Sequence, residues 1–126
     1  MEIGKQSGEI TKVIFTSTFS KYGHLENALS IAIWCPAWFN PAQIYKPLIP
    51  PTDLVAKYKK GWINGGYYSL VYNDQLKELD VTKVASDLQG KILLCYEKVP
   101  LFCHRHLVSD WLNQNGFECE EVSEND

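Results

Sequence analysis

A chain of 126 residues, 45% hydrophobic and 21% charged, has the size and composition of a single globular domain spanning 1–126 that buries one core. Its formal charge of -3 argues against nucleic-acid binding driven by broad positive charge, and no apolar run approaches the roughly 20 residues needed to cross a bilayer, so no membrane partner is expected. Residues 1–10 are polar, lack the apolar stretch of a signal peptide and are expected to be a flexible segment, which points to a cytoplasmic location and to free thiols for the four cysteines.

The first apolar run, Val13-Ile14-Phe15, suits a buried strand opening into Thr16-Ser17-Thr18, and Ser20 to Glu26 reads as a loop. A second strand is expected from Ala28 to Trp34, stopped by Pro36. Residues 35–51 hold five prolines and several aromatics without periodicity, the mark of a long ordered loop. Thr52 or Asp53 is placed to cap a helix that Gly61 ends. Tyr68, Val71, Tyr72, Leu76 and Leu79 recur at spacings of three and four, a helical stripe. Asp80 or Thr82 caps a further helix through Leu88, closed by Gly90.

Ile92 to Tyr96 is a continuous apolar run, as in a central parallel strand covered on both faces. A helix from about Cys103 to Asn115 carries Leu107, Trp111 and Leu112 on one face and stops at Gly116. The last strand runs from Phe117 to Val122, with Cys119 pointing inward as a small hydrophobe. This alternation predicts an α/β fold: a compact three-layer domain with a small, mostly parallel sheet flanked by helices. Ligands of such sheets bind beyond the carboxyl ends of the strands, where Cys95 to Glu97 falls.

Eleven lysines carry the positive charge apart from one arginine, Arg105, which follows Cys95, Glu97, Cys103 and His104 within eleven residues. The guanidinium fork holds a phosphate or carboxylate bidentately, as lysine cannot. Arg105, in the first turn of a helix, therefore reads as part of an anion site with Cys95, or as a salt-bridge partner of Glu97. Cys103, at the same helix start, reads as a nucleophile or redox thiol, with Glu97 or His104 moving a proton, or as a thiol that packs the helix end. Trp38 and Tyr45, in the proline-rich loop, are candidates for a ligand wall. Metal is the minority reading: no Cys-x-x-Cys pair is present, and adjacent Cys103 and His104 diverge on a helix. No cofactor is expected.

The run Leu93-Leu94-Cys95-Tyr96-Glu97-Lys98, then Phe102-Cys103-His104-Arg105, Leu107-Val108 and Trp111-Leu112, resembles the domain-of-unknown-function family numbered 488. Its Cys-x-Glu…Cys-His-Arg signature is specific, and weaker matches at Ser30–Ile33, Leu48–Lys60 and Tyr72–Asp80 extend the resemblance over roughly Val13 to Val122. The resemblance implies a compact α/β domain with the signature at its site and supplies no reaction. Trp34-Cys35-Pro36 departs from the polar or basic residue that members carry after the second strand. Three functions stay open: a thiol and anion site acting on a phosphate- or carboxylate-bearing substrate, a non-catalytic nucleotide or nucleic-acid binding module, and a structural clasp with the function on a partner surface.

Overall fold

Four short segments become the strands of one parallel sheet, in a computed structural model that describes residues 13–96 and 103–122. They are β1 (Ile14–Thr18), β2 (Ala28–Ser30), β3 (Ile92–Cys95) and β4 (Cys119–Glu121), in the order β2-β3-β1-β4. Parallel neighbours need crossover connections, and the helices supply them. α1 (Phe19–Tyr22) leads towards β2; α2 (Thr52–Lys59), α3 (Gly65–Lys77) and α4 (Val81–Asp87) join β2 to β3; α5 (His104–Gln114) precedes β4. The described residues thus form a compact α/β domain. The expected segment 1–10 lies outside them, as does Glu97.

The period of two along a strand sends alternate residues to opposite faces. Ile14, Leu93 and Cys119 pack with Tyr68, Tyr72, Leu76, Val108 and Leu112 beneath the larger helices. Phe15, Ile92 and Leu94 meet Phe19 of α1 and Phe39 of the proline-rich loop on the other face. Covered on both sides, β3 is buried at every residue, and Cys119 is buried as its alternation with acids suggested.

Local chemistry sets most boundaries. Asn64 caps α3 by accepting from the Tyr67 amide, and Asp80 caps α4 by accepting from Thr82 and Lys83. α2 begins differently from the expected cap: Pro51 precedes it and Thr52 is already helical. α1 occupies the start of the segment read as a loop. β2 is shorter than the expected Ala28–Trp34. The Ile31 amide still reaches Leu94 O at 3.1 Å, but Ser30 Oγ then accepts from the Ala32 amide and bends the chain away. That bend decides where the Ile31 carbonyl points.

α5 buries His104, Arg105, Val108 and Leu112, with Leu107 and Trp111 half-buried beside them. Gly116, at φ 88°, lets the chain reverse after the helix. Asn113 then clasps β4 from both sides, accepting from the Cys119 amide at 2.9 Å and donating to the Cys119 carbonyl at 3.0 Å. With Thr16 opposite Glu121 in the β1–β4 register, this clasp delivers Glu121 to Arg105.

Candidate functional site

The carboxyl end of β3 and the amino end of α5 meet as the signature suggested. Cys95 closes the strand and Cys103 is the N-cap of the helix, and the structure joins the two as a disulfide. This corrects the expectation of four free thiols: Cys35 and Cys119 are free. The two cysteines stand at a sequence separation of 8, one at the end of β3 and one at the start of α5.

Cys103 also overturns the argument that adjacent Cys103 and His104 must diverge. As an N-cap with φ -152° and ψ 144° it has extended backbone, so its side chain is not set by the helical period. Its Sγ lies 3.9 Å from His104 Nδ1. The other ring nitrogen, Nε2, is 2.6 Å from the Ile31 carbonyl oxygen. A carbonyl only accepts, so Nε2 carries the hydrogen and the Nδ1 lone pair is left facing the sulfur. The Tyr72 ring stands edge-on to the imidazole, centroids 5.4 Å apart, while its hydroxyl donates to Leu48 O. His104 is thus fixed in both orientation and tautomer.

Burial pushes the His104 pKa down to about 4; the Ile31 bond opposes this in part, and the Arg105 and His106 charges add to it. His106 is lowered as well, chiefly by burial. From the imidazole's ordinary value near 6.5 down to about 4, the unfolded chain binds a proton that native His104 does not. Stability should therefore fall as pH drops through that window. Urea midpoints followed across it should flatten in His104→Gln; an unaltered profile would mean that the native imidazole charges freely.

Arg105 is fully buried and turned inward. Its Nε and NH2 groups donate to the two carboxylate oxygens of Glu121, each at 3.0 Å, and NH1 donates to Cys95 Sγ at 3.1 Å. Thr16 Oγ1 donates to the same carboxylate at 2.6 Å. The fork is thus used bidentately, on an internal carboxylate. Of the two partners weighed for Arg105, Glu97 lies outside the described residues. Glu121 was not singled out, although strand alternation from inward Cys119 places it on the same face.

A cavity of ≈ 80 Å³ opens over Cys95, Cys103 and His104. Trp34 and Tyr96 are exposed at its edge, Tyr58 and Tyr68 line it from α2 and α3, and Lys59 completes the wall. Trp38 and Tyr45 are not part of this lining. The Trp38 ring packs over Gly23 and Phe39, and Tyr45 donates its hydroxyl to Asp87 of α4 at 2.7 Å. The structure therefore brings Cys95, Cys103, His104 and Arg105 together, and finds its aromatic wall in other residues.

A parallel sheet with helices, and a cysteine pair, an oriented histidine and a buried arginine beyond its strand ends, define a small α/β protein. Residues 37–116, well over half of the chain, match the family described as the active DUF488-N3 subclade, and the chain belongs to that family. No curated protein and no solved structure matches it. Among the described residues, no helix is long and apolar enough to cross a membrane.

Proposed function

We propose that the protein is a thiol–disulfide redox enzyme of the cytoplasm for small substrates that carry a carboxylate or phosphate. Cys103 is its attacking thiol, placed at the amino end of α5 with His104 Nδ1 beside it, and Cys95 is the resolving thiol. The observation that carries this reading is the Cys95–Cys103 pair placed under a histidine whose lone pair faces Cys103. A cysteine at a helix N-terminus is favoured as thiolate, and a sulfur that accepts from a guanidinium is favoured in the same way.

The Cys103 thiolate attacks one sulfur of a substrate disulfide, and the far half leaves as a thiolate. Cys95 then attacks Cys103 Sγ in the mixed disulfide and expels the near half. The substrate gains two electrons and becomes two thiols; the protein loses two and closes its own disulfide. An external thiol such as glutathione reopens it, being oxidised in turn. Both cysteines are nearly inaccessible, so the substrate must be small enough to enter through the cavity. There Lys59 is the residue placed to meet its anionic group, with Arg105 holding the sulfur instead of the substrate. The family description as an active subclade favours a working site over a degenerate one.

The test is equilibration of the protein in glutathione buffers of graded ratio, followed by acid quenching, alkylation and mass counting. Two cysteines should interconvert together between the pair and the dithiol, with Cys35 and Cys119 free throughout. A Cys95–Cys103 pair that never forms, or that no glutathione ratio reopens, would remove the redox reading. A second reading, non-catalytic binding of a nucleotide base, draws on Trp34 and Tyr96 at the cavity edge. It would be favoured by nucleotide binding that is indifferent to the state of the cysteines.

A further inference from the structure

We infer that the reduced protein holds a divalent, thiophilic metal ion of the zinc class through Cys95 Sγ, Cys103 Sγ and His104 Nδ1. These three donor atoms all lie within 4.8 Å of one another. They come from two elements that the sheet already fixes, the end of β3 and the start of α5. Two thiolates and one imidazole are the donor set that zinc selects among the available divalent ions. Reduction frees the two sulfurs to part to the roughly 3.8 Å that a tetrahedral ion with zinc–sulfur bonds of about 2.3 Å requires. Among the described residues the group is these three, without Cys35, and all three line the cavity.

The surroundings of the donors fit the same assignment. His104 donates from Nε2 to the Ile31 carbonyl, the outer contact that aims a histidine at a metal and fixes the ligating nitrogen. Here that leaves Nδ1, the nitrogen on the sulfur side. Arg105 donates to Cys95 Sγ, and a metal-bound thiolate keeps lone pairs to accept that bond. Charge is the sharper argument. The Arg105 cation is met by the Glu121 carboxylate, so ligation as two thiolates brings two charges for the ion itself to balance. One divalent ion balances them and leaves the imidazole neutral. Disulfide and metal are then alternative ways of neutralising the same two sulfurs, and the oxidised protein binds no ion.

Cobalt(II) is the direct probe. Added to the fully reduced chain after removal of excess reductant, it should give one equivalent of tetrahedral d–d absorption with a thiolate-to-cobalt charge-transfer band, both displaced by zinc. The bands should be absent from the disulfide form and from Cys103→Ser. Because a variant can lose its fold, the wild type supplies a second readout. Zinc should slow alkylation of Cys95 and Cys103 at least tenfold and leave Cys35 unchanged. Absence of the charge-transfer band in the reduced wild type would overturn the inference, as would bands that persist when both Cys95 and Cys103 are serine. Neither outcome bears on the redox reading, whose thiol counts are taken without metal.

Discussion

Replacing Glu121 by glutamine is expected to cost about 3 kcal/mol of folding stability, more than a hundredfold in the folding equilibrium. The size follows from the asymmetry of the pair. Arg105 is 0% exposed and Glu121 is 24% exposed at the side chain. A buried ion pair adds little over a well-packed apolar pair, but removal of one partner strands the other charge, at a cost of about 3–5 kcal/mol. Partial exposure of the carboxylate puts the expectation at the lower end of that range. Glutamine keeps the shape and one acceptor, so the loss reports the charge and one arm of the fork. Arg105→Lys probes the other side: it keeps the charge and loses the bidentate geometry, with an expected cost of about 1.5–3 kcal/mol. Urea unfolding of both variants measures these values, and a Glu121→Gln loss below about 0.5 kcal/mol would show that Arg105 draws its compensation from elsewhere.

This arrangement changes what the lone arginine means. Both arms of its fork are used, on the Glu121 carboxylate. Which group fills that fork was not legible from nearby sequence, because Glu121 arrives from β4 through the Gly116 reversal and the Asn113 clasp. The inward period of Cys119 and Glu121 was the signal available, and it was applied only to the cysteine. β3 was legible because four consecutive apolar residues leave no polar face to expose. β2 was read too long because hydrophobicity continues through Ile33 and Trp34 after hydrogen bonding has turned the chain at Ser30. That turn presents the Ile31 carbonyl to His104, a long-range contact that no local pattern encodes. The aromatic wall failed for a related reason. In a proline-rich loop without periodicity, nothing distinguishes Trp38 and Tyr45 from Trp34, and only the tertiary fold places Trp34 at the cavity.

The second large effect concerns Cys103 itself. Cys119 sits among acids in the core, and its thiol pKa is pushed up to about 11, chiefly by burial. Even an ordinary thiol near 8.5 would hold roughly 300 times more thiolate at neutral pH. The greater intrinsic nucleophilicity of the more basic sulfur returns a factor of about 20, leaving roughly a tenfold advantage. The helix start acts in the same direction for Cys103, and the cavity opens over it. An advantage of roughly tenfold or more is therefore expected.

Alkylation of the freshly reduced, metal-free protein by iodoacetamide at neutral pH, resolved residue by residue by peptide mass spectrometry, tests the thiol centre most directly. Labelling of Cys103 at least ten times faster than Cys119 is the predicted result. Equal and slow labelling of the two would contradict it and leave the signature as packing around a buried arginine.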